Sequence, residues 1–142
     1  MDPVTEAVLA ANARFYQALS LADLGLMRQV WLASEGATCT HPGGQPLEGW
    51  KAIRASWRAI FKQQGPLQVT PAEMQARLFG QTAEVTCIER IDATRLPNGG
   101  LLQAQATNIF RLRAGCWKML EHHAVPLPAA QRLRGAERYS SN

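Results

Sequence analysis

The second half of the chain limits the fold most. From Leu67 onward four long segments, "EMQARLFG", "AEVTCIERID", "LLQAQATNIFRLR" and "CWKMLEHHAV", follow one another with only GQ, PNGG and AG between them. Connections this short join antiparallel neighbours, because a parallel return needs a long crossover. The segments are longer than ordinary strands, so the sheet they form is expected to be large and curved. Pro71 predicts a bend or a sheet edge near the start of the first one, since proline cannot donate to a ladder. Pro126 and Pro128 end the last.

The first half reads as helix. Asp2 can cap free N–H groups, and Pro3 fits the first helical position. Val4, Val8, Ala11, Phe15 and Leu19 then recur at helical spacing. Ser20 with Asp23 resembles a second capping signal, and Leu24, Met27 and Trp31 form the stripe of a short second helix ended by "SEG". Ala37–Thr40 is a short strand, and "HPGGQPLEG" is turn chemistry. A third helix follows Gly49, with Trp50, Ile53, Trp57, Ile60 and Phe61 on one face, and "QQGP" stops it.

Three helices followed by an antiparallel meander, with one extra short strand, define the α+β class. Helices seated in the mouth of a strongly curved antiparallel sheet make a cone-shaped half-barrel, and a cone encloses a pocket. The 142 residues favour one domain, long enough to bury a core. We expect the cone to occupy residues 1–126 and a basic, flexible C-terminal tail to occupy 127–142.

Charge and composition narrow the function. The net charge is +4, but Arg132, Arg134 and Arg138 against Glu137 concentrate much of it at the C-terminus. The remainder is close to neutral, which argues against nucleic acid as a partner. No apolar run is long enough to span a bilayer, and the N-terminus lacks a secretory signal, so no membrane partner is expected. Cys39, Cys87 and Cys116 are widely spaced and form no CxxC pair, which suits reduced thiols and a cytoplasmic location. There is no glycine-rich phosphate loop and no nucleophile elbow.

Three segments together resemble the SnoaL-like family of the nuclear-transport-factor-2-like superfamily. They are "FYQALSLADLGLMRQVW", "HPGGQPLEGWKAIRASWRAIF" and "ATNIFRLRAGCWKMLEHHAVP". The resemblance covers roughly residues 4 to 126. It implies a cone-shaped α+β fold and a homodimer through the outer sheet face. Members include isomerases, cyclases, dehydratases, epoxide hydrolases and non-catalytic binding or assembly modules. The family typically has serine after the histidine pair and one small residue; here Val125 stands there.

The chain has three histidines, His41, His122 and His123. Strand neighbours point to opposite faces. Trp117 prefers the core and Lys118 prefers water, so strict alternation places His123 inward and His122 on the outer face, unless a β-bulge reverses the second half of the strand. An inward His123 is either a general acid or base or a buried neutral histidine. His41 is held extended by Pro42, at a junction that could line the cone mouth. No sequential ligand motif supports a metal site.

Glu89 shares a face with Val85, Cys87 and Ile91. A carboxylate on such a face is costly to bury unless it is paired or protonated, and burial would make it a usable base. Ketosteroid isomerase, whose fold is related, shows carboxyl groups tuned in this way. The alternatives are a solvated strand end or a salt bridge to Arg90, Arg111 or Arg54. Asn108 and Phe110 share one parity and Met119 shares that of Trp117, so all three are candidates to meet a ligand. Trp50 and Trp57, seven apart on one helix face, are either core or the wall of a pocket for a flat apolar or cyclic molecule.

These readings assign proton transfer to Glu89 and His123, and ligand binding to His41, Trp50, Trp57, Asn108, Phe110 and Met119. The reaction would be an isomerisation, dehydration or hydrolysis without metal or organic cofactor. The alternative is a non-catalytic dimerisation or regulatory module, in which Trp50, Trp57 and Met119 plug the cone.

Overall fold

The computed structural model describes residues 1–128. Helix α1 spans Pro3–Leu21 and α2 spans Leu24–Val30. Strands β1 (Thr38–Thr40) and β2 (Leu47–Glu48) precede helix α3 (Trp50–Gln64). Four long strands follow: β3 (Gln68–Phe79), β4 (Thr82–Asp92), β5 (Leu101–Arg113) and β6 (Cys116–Pro126). All join one sheet in the order β2-β1-β6-β5-β4-β3. The long strands form the expected antiparallel meander, while β1 runs parallel to β6. The expected tail lies outside the described residues from position 129 onward.

The helix ends follow their local chemistry. Asp2 accepts a hydrogen bond from the Thr5 amide at 2.8 Å. Asp23 caps α2 itself, accepting from the Leu26 amide at 2.9 Å. Ser20 has a different task from the expected cap: its hydroxyl bonds both the amide and the carbonyl of Val69, at 3.0 and 3.1 Å. It thereby ties the end of α1 to the start of β3. Gly65 closes α3 at a φ of 69°, where a side chain would be strained.

Pro71 sits on β3, an edge strand, where its missing N–H leaves no ladder bond unmade. The PNGG connection is longer than a two-residue hairpin. It forms a loop from Ala93 to Gly100, held by amides of Ala93, Leu96 and Gly99. Only glycine fits at 99, because a Cβ there would lie 1.8 Å from the Ala93 carbonyl oxygen.

One irregularity reorganises the end of β6. Ile109 pairs with Glu121 and Phe110 with Met119, so Leu120 is an extra residue in the ladder. This β-bulge reverses the facing of every residue beyond it. His122 and Ala124 turn inward at 1% exposure each, and His123 turns outward. The strict alternation expected from the sequence is corrected here.

The helices pack on the inner face of the sheet. Phe15 lies edge-on to both Tyr16 and Trp57, with ring centroids 4.8 and 5.7 Å away. Truncating such a ring costs about 3–5 kcal/mol. No helix among the described residues is long and apolar enough to cross a membrane.

Candidate functional site

Helix α1 brings two polar side chains to the inner sheet face. Asn12 and Tyr16 are one helical turn apart and both are buried. Strand β4 contributes Glu89 and strand β5 contributes Asn108. The bulged end of β6 contributes His122. These five residues form one connected network.

The hydrogens in this network can be assigned from its geometry. The Asn108 amide nitrogen donates to Asn12 Oδ1 at 2.8 Å and to the Tyr16 hydroxyl at 3.1 Å. Its Oδ1 therefore faces His122 Nδ1, at 2.6 Å, and that nitrogen must carry the proton. Tyr16 in turn donates to Glu89 Oε2 at 2.8 Å. His122 Nε2 remains as a lone pair 3.8 Å from the same carboxyl oxygen.

Burial sets the charge states. Glu89 is 4% exposed, and loss of water raises its pKa to about 7, against the lowering effect of the Tyr16 hydrogen bond. No arginine or lysine among the described residues pairs with it. For His122, burial first and then the proximity of His41 and His123 lower the pKa to about 3. With His122 neutral, its approach to Glu89 is a polar contact rather than an ion pair. Tyr16 is pushed well above its ordinary range by burial and by the Glu89 charge, so it stays protonated as a donor.

Glu89 and His122 reach the floor of a cavity of about 380 Å³. Its walls come from Trp57 and Phe61 of α3, Ile91 of β4 and the Leu96–Pro97 segment of the β4–β5 loop. This size suits a small organic molecule. His41 stands in the same wall, its ring edge-on to Trp57 at 4.5 Å. The Ser56 hydroxyl gives its hydrogen to the Ile53 carbonyl at 2.6 Å, so it accepts from His41 Nε2 at 2.9 Å.

The sequence-derived candidates separate into three groups. Glu89, His41 and Trp57 line the cavity. Asn108 lies behind it, as the bridge that orients His122. Trp50, Phe110 and Met119 are outside the wall. Trp50 packs against Trp31, with centroids 5.9 Å apart, and Phe110 and Met119 are fully buried core. His123 is also outside, half-exposed on the outer sheet face, where it bonds Thr40 at 2.9 Å and Glu121 at 3.3 Å. The inward position expected for it belongs to His122. The cone is therefore open rather than plugged by Trp50 and Met119.

Tyr16 and Asn12 are the residues that sequence reasoning missed. Their signal is a polar group on the same face as Val8 and Phe15, inside an otherwise apolar stripe.

Comparison with known proteins fits this geometry. The chain belongs to the SnoaL-like domain family, whose sequence profile matches residues 8–129. A structure of an NTF2-like protein from Streptomyces avermitilis, named as a candidate dehydratase, superposes with a TM-score of 0.81 at 32% identity, covering 90% of this chain and 100% of that one. A candidate calcium/calmodulin-dependent protein kinase type II association domain from Thiobacillus denitrificans superposes with a TM-score of 0.75 at 28% identity, covering 84% of this chain and 94% of that one. The F-box protein SKIP8 of Arabidopsis thaliana is 25% identical over 120 residues, 84% of this chain. The chain spans only 49% of that relative's length.

Proposed function

We propose that the protein binds an apolar or cyclic small molecule in its cone and moves a proton on it, without an organic cofactor. The observation that carries this reading is the Glu89–His122 pair, 3.8 Å apart at the floor of an apolar cavity. A carboxyl with a pKa of about 7 is half-loaded at neutral pH, so it can both take and give a proton. Glu89 is the proton carrier. It would remove a proton from one atom of the ligand and return it to another, or deliver it to a departing hydroxyl. Tyr16 steadies the carboxylate each time the proton leaves. His122, held neutral and fixed by Asn108, is an acceptor that orients the ligand. Isomerisation, dehydration and hydrolysis all fit this arrangement, and the relative named as a candidate dehydratase belongs to the same group of reactions.

Assembly is the second reading. The outer face of the sheet carries Ile88, Thr107, Ile109 and His123, all only partly exposed. We propose that a second copy packs on this face, and the kinase association domain among the relatives favours it. The same reading keeps the cone as residues 1–126 with 127–142 as an appended tail, and a cytoplasmic location suits the buried thiols of Cys39 and Cys87.

A native mass spectrum of gently purified protein tests both readings. A dimer carrying a discrete small-molecule adduct, lost in Glu89→Gln, is the expected result. A monomer would remove the interface. An adduct retained by both Glu89→Gln and His122→Ala would remove the site.

A further inference from the structure

The polar network behind the cavity spends its hydrogens internally, and in the wall the Trp57 indole N–H is a buried donor with no partner among the described residues. Both amide hydrogens of Asn108 are spent on Asn12 and Tyr16. The single hydroxyl hydrogen of Tyr16 goes to Glu89. The one N–H of neutral His122 goes to Asn108. What remains toward the cavity is the His122 Nε2 lone pair and the Glu89 carboxyl, 3.8 Å apart. When Glu89 is ionised, two acceptors face each other, and either a proton taken up by the carboxyl or a donor on the ligand relieves that.

The charge of the cavity is equally one-sided. Glu89 is its acidic wall residue, and no lysine or arginine among the described residues lines it. Arg95 stands near the mouth, but its guanidinium is engaged by the carbonyls of Gln64 and Pro66. The same cavity is lined by two aromatic rings, Trp57 and Phe61, with centroids 5.7 Å apart and a tilt of 34°. Ring faces attract cations. An anionic ligand would meet a carboxylate and no counter-charge. An alcohol has one hydrogen for two acceptors. An ammonium group has three hydrogens and the missing charge.

Resting on the cavity reading above, we propose that the ligand is a hydrophobic amine, bound as the ammonium form between Glu89 and His122 with its apolar body against Trp57 and Phe61. The carboxylate is the counter-ion, His122 Nε2 the second acceptor, and the aromatic rings the selective wall. Substrate and inhibitor alike would share this cationic head and apolar body.

Three probes of one skeleton test this: adamantylmethylamine, adamantylmethanol and adamantanecarboxylate. Each is titrated calorimetrically into the full chain at mildly alkaline pH, where Glu89 is ionised. The amine is expected to bind about tenfold or more tighter than the alcohol, as a buried cation–carboxylate contact implies, and the carboxylate to bind weakest. In Glu89→Gln the amine should lose that advantage while the alcohol still binds, which shows the variant cavity intact. Equal affinities of amine and alcohol in the unmodified protein would overturn the amine proposal and leave the cavity reading standing. An amine preference that survives Glu89→Gln would also overturn it. Failure of all three probes to bind would overturn the cavity reading itself.

Discussion

His122 Nε2 lies 3.8 Å from Glu89 Oε2, and the two groups hold opposite departures from their ordinary protonation. Burial keeps the imidazole neutral to about pH 3 and the carboxyl protonated to about pH 7. Each is buried on the floor of the same cavity, and each is fixed from behind by a residue of the α1 and β5 network.

Glu89→Gln should stabilise the protein above neutral pH. The folded pKa, about 7, is above the ordinary 4.5, so the folded state binds the extra proton between those values. Stability is present in full below this window and is lost as pH rises through it. Removing the group removes that loss, on the order of 3 kcal/mol at most for this shift. Denaturant midpoints across the window check this: the gap between variant and parent should open from about pH 5 and level off near pH 8.

His122 has the opposite sign. Its folded pKa of about 3 is below the ordinary 6.5, so the unfolded chain takes the proton first. Its contribution is present above that window and is lost as pH falls through it. Between about pH 4.5 and 6.5 the two groups offset each other, which predicts a flat stability profile there in the parent and a sloped one in either single variant.

Tyr16→Phe should raise the Glu89 pKa further, because the hydroxyl lowers it by donating to the carboxylate. The same change leaves one Asn108 hydrogen without an acceptor, at a cost of about 1–3 kcal/mol. A shift of the Glu89 titration to higher pH, together with a lower unfolding midpoint, is the expected pair of observations.

The two adjacent histidines should respond very differently to alanine. His122→Ala removes a buried ring with a 2.6 Å hydrogen bond and a contact to Phe15, and should cost about 2–4 kcal/mol. His123→Ala removes a ring that is half-exposed in the single chain and should cost below about 1 kcal/mol of the protomer's own stability, apart from any contact it makes with a second copy. Thermal unfolding of both variants distinguishes this arrangement from strict strand alternation, which predicts the reverse order.

Arg95→Ala should loosen the loop at the cavity mouth. Its guanidinium joins the loop to the carbonyls of Gln64 and Pro66 at the end of α3. Amide exchange at Leu96 and Gly99, whose N–H groups hold the turn, is expected to accelerate while the β4 and β5 amides keep their protection.

The helices, the meander and the edge position of β3 were legible because each rests on local chemistry. Asp2-Pro3 starts a helix, and Pro71 marks a bend or an edge, of which β3 is the edge. Glu89 was legible too, as a carboxyl on an apolar strand face. What escaped was the bulge at Leu120, which has no signature of its own: Leu120 is neither glycine nor proline, and the extra residue appears only when β6 is laid against β5. Parity then fails for His122 and His123 together. Tyr16 escaped because an aromatic in an apolar helical stripe reads as core, which it also is. Its hydroxyl acquires meaning only from Glu89, 73 residues away.

The most direct measurement is a carbon-13 and nitrogen-15 NMR pH titration of the glutamate carboxyls and histidine rings, assigned with Glu89→Gln and His122→Ala. The expected result is one glutamate titrating near pH 7 and one histidine that stays neutral, protonated on Nδ1, down to about pH 3. Glutamates that all titrate near pH 4.5, or a His122 that charges near pH 6.5, would contradict the paired site.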